Sequence, residues 1–227
     1  MLEILYQDSY LIAINKPHGL LVHKTGIAGD AKEFAVQLLR DQIHQRVYPV
    51  HRLDRKTSGV LLFALDEKTN SLMQMQFQER ETNKKYVAIV RGHTPDEGVI
   101  DYPLTNEREQ VQDAITYYKT IERVELPIAL GKHETSRYSL VEVNPQTGRY
   151  HQIRKHFAHI FYPIIGDRPH GCNKQNKLFK ERWNINSMML HAKELTFEHP
   201  INHNIIAIKA DFQREFSEAL QILSFNK

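Results

Sequence analysis

Short apolar segments separated by turn-forming residues run along the whole chain. Alternating apolar and polar positions, or a brief unbroken apolar run, are typical of β-strands. This pattern predicts strands at 3–7, 10–15, 60–65, 85–92, 116–126, 136–143, 188–198 and 204–210. Apolar residues spaced three and four positions apart predict helices at 31–44, 67–80, 149–160 and 213–223. Asp66 is the expected N-cap of the second of these helices.

The order of these elements indicates the fold class. Strands and helices follow one another without regular β-α-β alternation, which favours an α+β fold. We expect a mixed, largely antiparallel central sheet flanked by helices and loops, in which 116–126 pairs with 136–143. The stretch 93–114 is polar and turn-rich, so we expect a surface excursion there. Because no linker divides the chain, a single domain over residues 1–227 is predicted.

Composition narrows the class of protein. The longest apolar run, 60–65, is far shorter than the roughly 20 residues needed to span a bilayer. The N-terminal stretch MLEILYQDSY carries an acid and no basic cluster, unlike a signal peptide. The one cysteine, Cys172, excludes an internal disulfide and a multi-cysteine zinc site. We therefore predict a protein of the reducing cytoplasm with no membrane association.

Positive charge is concentrated in one segment, although the formal net charge is only +3. Residues 149–182 include eight Lys or Arg residues and two acids. The basic residues are Arg149, Arg154, Lys155, Arg168, Lys174, Lys177, Lys180 and Arg182. Such clustering is expected where a polyanion binds, and a solvated loop and helix is the alternative interpretation.

Asp54 is the leading candidate for a catalytic carboxylate. It lies in HRLDRKTSG (51–59), directly before a predicted buried strand and among several cations. Nearby positive charge keeps a carboxylate ionised at neutral pH, as a nucleophile or base requires. The alternative is a turn or capping aspartate, which the segment alone also allows.

A second polar group, TGRYHQIRKH (147–156), places Arg154 near one end of a predicted short helix. Its guanidinium could pair bidentately with a carboxylate from elsewhere in the fold, or it could be a surface arginine. A metal site is not indicated, because the 13 histidines include no H-E-x-x-H and have no cysteine partner. The chain also has no G-x-S-x-G elbow and no glycine-rich nucleotide loop. Tyr86 and Leu190, taken alone, are packing residues.

Several segments, in this order, resemble the RluA family of pseudouridine synthases. They are NKPHGLLVH (15–23), HRLDRKTSGVLLFA (51–64), KKYVAIVRG (84–92), TGRYHQIRKH (147–156), YPIIGD (162–167) and MMLHA (188–192). The resemblance extends over nearly the whole chain, and the HRLD-x-x-TSG segment is highly specific for that family. The opening MLEILYQD, DRPHG (167–171) and the stretch 126–159 look closest to the subgroup that modifies uridine 65 of tRNA.

The resemblance implies a pseudouridine synthase fold and a role for individual residues. Asp54 is implied to be the catalytic aspartate and Arg154 to pair with it. Tyr86 is implied to stack on the uracil, Arg52 to enter the space of the flipped nucleotide, and Leu190 to line the base pocket. The further substrate contacts expected from the same motifs are His51, Thr57, Arg149 and His151.

The resemblance also implies an isomerase that needs no cofactor and no metal. Its expected partner is structured RNA, most simply tRNA, bound by the catalytic domain itself because no separate N-terminal RNA-binding module is predicted. The alternatives are the same chemistry on ribosomal RNA, or a non-catalytic RNA-binding or RNA-folding protein. The chain has no heptad pattern and no implied protein partner, so we expect a monomer.

Overall fold

The computed structural model describes residues 1–23 and 33–225. The helices are α1 (Ala35–Ile43), α2 (Glu67–Glu79), α3 (Gln152–His159), α4 (Asn173–Trp183) and α5 (Arg214–Ile222). The strands are β1 (Ile4–Gln7), β2 (Leu11–Lys16), β3 (Tyr48–Pro49), β4 (Ser58–Ala64), β5 (Asn83–Arg91), β6 (Glu97–Asp101), β7 (Leu104–Thr105), β8 (Val111–Gln112), β9 (Ile115–Leu126), β10 (Ser136–Pro145), β11 (Leu190–Glu198) and β12 (Ile205–Lys209).

The chain folds into two compact units. The first unit consists of Met1–Lys84 and Ala192–Gln213, and the second consists of Lys85–His191 and Arg214–Lys227. Each unit is built on antiparallel strands with flanking helices, which confirms the predicted α+β class and its largely antiparallel pairing. The single domain over 1–227 stays a prediction.

In the first unit the strands follow the order β1-β2-β4-β11, with β3 on β4 and β12 on β11. Every residue of β2 and β4 is buried, as expected for strands that pack on both faces. Gly59 of β4 has φ +108, and a Cβ there would lie 2.2 Å from the carbonyl oxygen of Ala192. The close approach of β4 to β11 therefore requires the glycine of the TSG sequence.

Helix α2 of the first unit begins where the sequence predicts. Asp66 is its N-cap, and the carboxylate accepts a hydrogen bond of 2.8 Å from the backbone N–H of Thr69. The apolar face of the helix contributes Met73 to a core that includes Val60, Leu62 and Phe197. Helix α1 begins at Ala35, and residues 31–32 of its predicted range lie outside the described residues.

In the second unit the strands follow the order β5-β10-β9-β6. The predicted antiparallel pairing of β9 with β10 is confirmed. The stretch 93–114 is not only a surface excursion, because β6 pairs with β9 along its whole length and β7 pairs with β8 as a small hairpin. Pairing with β9 supplies the order that the polar sequence of β6 does not indicate by itself.

Two helices of the second unit differ from the sequence prediction. Helix α3 begins at Gln152 rather than at Arg149, because His151 adopts a left-handed backbone (φ 56) directly before it. Helix α4 was not predicted, since its sequence is polar and only Gln175 and Phe179 are buried. Among the described residues no helix is long and apolar enough to cross a membrane.

Candidate active site

Asp54 lies in the loop between β3 and β4 of the first unit. The backbone N–H of Thr57 donates to the carbonyl oxygen of Asp54 at 3.0 Å, which closes a tight turn around the carboxylate. Asp54 is half-buried and Arg52 is exposed, so the loop presents an acid and a neighbouring cation toward the surface. Thr57 is only 2% exposed, and its predicted contact with substrate stays a prediction.

A fully buried lysine supports this loop. The Lys16 ammonium donates to the carbonyl oxygens of Pro17 (3.0 Å), Leu20 (2.9 Å) and Arg55 (3.3 Å). Lys16 therefore connects the NKPHGL segment to the residue that follows Asp54. The side chain of Arg55 adds a second connection, because its Nε donates to the carbonyl oxygen of Gly19 at 3.0 Å.

Protonation of Lys16 in the folded protein costs free energy, because the ammonium is buried and its hydrogen-bond partners are neutral carbonyl groups. Burial lowers the pKa of Lys16 to about 7, and the negative charge of Asp54 acts in the opposite direction. An ammonium that titrates near neutrality thus lies within electrostatic reach of the candidate catalytic carboxylate. The sequence interpretation missed this residue, although the quoted NKPHGL motif contains it.

His51 belongs to the internal structure of the first unit. Its Nε2 accepts a hydrogen bond of 3.1 Å from the backbone N–H of Leu62, and its ring stacks on Phe77 at 5.0 Å. Burial, together with the charge of Lys84, lowers the pKa of His51 to about 4. A neutral imidazole that accepts from β4 holds the start of the HRLD segment in place, and its predicted contact with substrate stays a prediction.

Arg154 lies on α3 in the second unit and forms a buried ion pair with Asp167. Its Nε donates to Oδ2 and its Nη2 to Oδ1, both at 2.8 Å, and the side chains are 5% and 1% exposed. This two-point contact fixes the plane of the guanidinium and hence the direction of its remaining donors. The pairing of Arg154 with Asp54 stays a prediction. The sequence interpretation did not assign a role to Asp167.

The backbone around Asp167 is shaped for this pair. Gly166 has φ +81, and a Cβ there would lie 2.1 Å from the carbonyl oxygen of Ser187. Asn176 of α4 spans the turn, because it accepts from the N–H of Gly166 (2.8 Å) and donates to the carbonyl oxygen of Asp167 (2.7 Å). The glycine of YPIIGD is therefore required by close packing that positions the carboxylate.

Gln152 holds the beginning of α3. Its Oε1 accepts from the Thr147 hydroxyl (2.6 Å) and the Arg149 N–H (2.9 Å), and its Nε2 donates to the carbonyl oxygen of Ile115 (3.0 Å). Buried amides with all these partners fix both position and rotation of the helix. The glutamine of the HQIR sequence thus sets where Arg154 lies.

Tyr86 and Leu190 are brought together in the second unit. Leu190 is buried in an apolar cluster that also contains Ile153 and Phe157 of α3, and the half-buried Tyr86 packs against this cluster. An aromatic ring and an aliphatic side chain thus belong to the same apolar surface. Their stacking on and lining of a uracil stay predictions.

The two remaining predicted contact residues flank α3. The Arg149 Nε donates to the carbonyl oxygen of Asp113 at 3.0 Å. His151 shares a 3.0 Å hydrogen bond with His170 and stacks on Tyr150 at 3.8 Å. Both side chains therefore have defined positions at the surface, and their contact with substrate stays a prediction.

The predicted site residues thus form two groups, each with its own support. The loop of the first unit holds His51, Arg52, Asp54 and Thr57, and the second unit holds Tyr86, Arg149, His151, Arg154 and Leu190. In the described part of the chain no group of three His, Cys, Asp or Glu side chains could hold a metal ion. The first unit supplies a half-buried carboxylate, and the second unit supplies a clamped guanidinium and an apolar surface with an aromatic ring.

Comparisons with known proteins identify the class. The family model for RNA pseudouridylate synthase matches residues 10–159, which include both the HRLD loop and α3. This chain belongs to the RNA pseudouridylate synthase family.

Individual relatives cover nearly the full length. The tRNA pseudouridine synthase C of Vibrio cholerae is 48% identical over 221 residues, which are 92% of this chain and 91% of the relative. The tRNA pseudouridine synthase C of Vibrio vulnificus is 44% identical over 97% of this chain and 95% of its own. The solved structure of human RNA pseudouridylate synthase domain containing 4 is 27% identical, with a TM-score of 0.73 over 98% of this chain and 93% of that one.

Proposed function

We propose that this protein converts one uridine of tRNA, uridine 65, into pseudouridine, with Asp54 as the catalytic carboxylate. The observation that carries the proposal is the position of Asp54, half-buried in a turn that Lys16 and Arg55 tie to a second loop. The full-length similarity to proteins named tRNA pseudouridine synthase C supports tRNA as the substrate.

The reaction is an isomerisation that needs no cofactor. The C1′–N1 bond of uridine breaks, the uracil turns, and a C5–C1′ bond forms while C5 loses its proton and N1 gains one. Asp54 attacks the sugar, attacks the base or removes a ribose proton. All three routes need an ionised carboxylate, which a fixed guanidinium beside it would stabilise.

Access to the glycosidic bond requires the target nucleotide to leave its stack. Unstacking costs about a few kcal/mol, which new protein contacts can offset. Arg52 is exposed on the same loop as Asp54, and in our proposal it enters the space that the nucleotide vacates. Tyr86 then stacks on the uracil and Leu190 lines the apolar side of its pocket, which keeps water from the sugar.

Arg154 holds Asp54 ionised and aimed in this proposal. The ion pair with Asp167 supports that role, because it already fixes the long side chain of Arg154. Less conformational entropy is then lost when the guanidinium pairs with Asp54. Asp167 acts through Arg154 and is a positioning residue. Cytoplasmic location and a monomeric state remain predictions from the sequence.

Helix α4 contributes the electrostatic part of RNA binding in our proposal. Lys174, Lys177, Lys180 and Arg182 are all exposed on this helix. Exposed cations on one helix attract phosphates independently of base sequence and release counterions on binding. They therefore give affinity for RNA, while the choice of uridine depends on other contacts.

Mapping of pseudouridine in total RNA tests the proposed target. RNA is compared from cells that carry the gene, lack it, or lack it and express the Asp54→Ala protein. Loss of pseudouridine at uridine 65 of tRNA in the last two strains is the expected result. Loss at a ribosomal RNA site instead would assign a different substrate. An unchanged map would contradict the proposed activity and would favour a non-catalytic RNA-binding protein.

A further inference from the structure

The outer face of α3 carries histidines and a lysine that have no part in the proposed roles of Asp54 and the lysines of α4. Ile153, Arg154 and Phe157 are buried on the inner side of this helix. His151, Lys155 and His159 succeed one another at four-residue intervals, so they lie on one face, and His159 is exposed. The helix rise places the two histidines about 12 Å apart along the axis.

A tyrosine lies flat on each of these histidines. Tyr150 stacks on His151 with a centroid distance of 3.8 Å and an interplanar angle of 20°. Tyr102, from the loop after β6, stacks on His159 at 3.6 Å and 17°. The tyrosines are 45% and 43% exposed, so each keeps part of its ring available to a ligand.

Both rings are held in place before any ligand binds. The carbonyl oxygen of Tyr102 is hydrogen-bonded to Nε2 of His156 at 3.0 Å, in addition to the ring stack on His159. Lys155 lies between the two stacks, with its Nζ 5.6 Å from the Tyr150 centroid and donating to the carbonyl oxygen of Thr105 at 3.2 Å. Such pre-organisation lowers the entropic cost of binding.

A third ring occupies an unfavourable backbone position. Phe161 is the residue after the C-cap of α3, and it has φ 65. The N–H of Phe161 bonds to Ala158 and that of Tyr162 to Phe157, which is the Schellman arrangement that usually places glycine there. Phe161 is nevertheless 86% exposed, so burial does not compensate for the strain. Its exposed ring at the C-terminal end of α3 is available to a ligand.

We propose that this aromatic face of α3, comprising Tyr102, Tyr150, Lys155 and His159, binds unpaired nucleotides of the RNA substrate, with Phe161 exposed just beyond the end of the helix. Exposed aromatic rings interleaved with a cation fit single-stranded nucleic acid, since every base has a face that can stack. A span of about 12 Å corresponds to three or four stacked nucleotides at ~3.4 Å each. The proposal depends on the proposed function only for the identity of the RNA.

Direct binding of unmodified tRNA tests this surface, measured with Asp54→Ala as the background so that turnover does not interfere. Tyr102→Ala/Tyr150→Ala should weaken binding roughly tenfold or more, because each stacked base contributes measurably to affinity. Tyr102→Phe/Tyr150→Phe should restore binding, since the rings remain.

Tyr117→Ala is the matched control. Tyr117 is 45% exposed on β9. Its neighbour Tyr118 contacts Phe157 of α3, so Tyr117 points to the opposite face of the sheet. This variant should bind as the background protein does. Equal affinities of the double-alanine variant and the Tyr117→Ala control would overturn the proposal.

The salt dependence separates this surface from α4. Reversing charge at Lys174, Lys177 and Lys180 should flatten the dependence of affinity on salt, whereas the double-alanine variant should keep the slope of the background protein. A flattened slope for the aromatic variant would contradict a stacking role. Sedimentation provides a further check, because conversion of a dimer to a monomer with unchanged RNA affinity would make this face a self-interface and overturn the proposal.

Failure of this inference and failure of the proposed function give different results. A wild-type protein that binds tRNA through these rings but forms no pseudouridine would contradict the function and support the surface. Normal pseudouridine formation, with tRNA binding unaffected by the double-alanine change, would support the function and contradict the surface.

Discussion

The two units of this protein bury a cation in different ways. In the first unit, Lys16 is fully buried and its ammonium contacts three neutral carbonyl oxygens. In the second unit, Arg154 is almost as deeply buried, but its guanidinium contacts both oxygens of the Asp167 carboxylate. Lys16 thus titrates near neutral pH, whereas Arg154 keeps its charge at any physiological pH.

The difference shows what each unit provides to the proposed chemistry. A buried guanidinium on a buried carboxylate is a rigid donor whose direction does not change with protonation. A buried ammonium on carbonyls is a connection whose strength depends on pH, because the neutral amine has fewer protons to donate. We therefore expect the Arg154 guanidinium on α3 to keep a fixed orientation. We expect the charge of Lys16, which acts on Asp54, to change with pH.

Removing one partner of the Arg154–Asp167 pair should have the larger effect. Asp167→Leu leaves a buried guanidinium without its carboxylate, and breaking such a pair costs about 3–5 kcal/mol of unfolding free energy. Urea unfolding of the wild-type and variant proteins measures this loss.

A double variant distinguishes packing from chemistry at this pair. Arg154→Met/Asp167→Leu replaces both charges with apolar groups of similar size, so most of the lost stability should return. Pseudouridine formation should not return, because the guanidinium is absent. A stable double variant with near-wild-type turnover would contradict the proposed role of Arg154.

Lys16→Met should have a smaller effect, and one that depends on pH. The pKa of Lys16 is about 7 in the folded protein, below its ordinary value of 10.5, so the unfolded chain binds more protons between these limits. The destabilising cost of burying Lys16 is therefore complete below pH 7 and disappears as pH rises toward 10.5.

The free energy of unfolding of the wild type should consequently increase relative to Lys16→Met by about 2–3 kcal/mol between about pH 6 and pH 9. Chemical denaturation at both pH values measures this change. Lys119→Met is the control, because Lys119 is exposed on β9 and its replacement should show no such dependence. A pH-independent difference for Lys16→Met would mean that Lys16 keeps an ordinary pKa.

The sequence predicted the elements whose patterns are local. The unbroken apolar run of β4 and the Asp66 cap of α2 are both encoded by neighbouring residues, and both are confirmed. Strand β6 was missed because its order comes from pairing with β9, which is distant in sequence. Helix α4 was missed because few of its residues are apolar.

The candidate site likewise combines residues that a local sequence pattern reveals with residues whose role depends on distant parts of the chain. Asp54 could be singled out because its whole segment is distinctive. Lys16 could not, because a lysine at the end of a strand ordinarily reaches solvent, and its burial depends on carbonyl groups of Leu20 and Arg55. The contact of Arg154 with Asp167 likewise depends on the turn that Gly166 makes possible.

Isomerisation of a tRNA uridine by the Asp54 carboxylate can be followed through the hydrogen at C5 of that uridine. Formation of the C5–C1′ bond displaces the hydrogen at C5, so tritium release from tRNA labelled at C5 of uridine reports the reaction directly. Asp54→Ala should reduce release at least about 10³-fold with tRNA affinity largely retained. Asp41→Ala, which removes an exposed carboxylate of α1, should release tritium at the wild-type rate. Appreciable tritium release by Asp54→Ala would show that Asp54 is not the catalytic carboxylate.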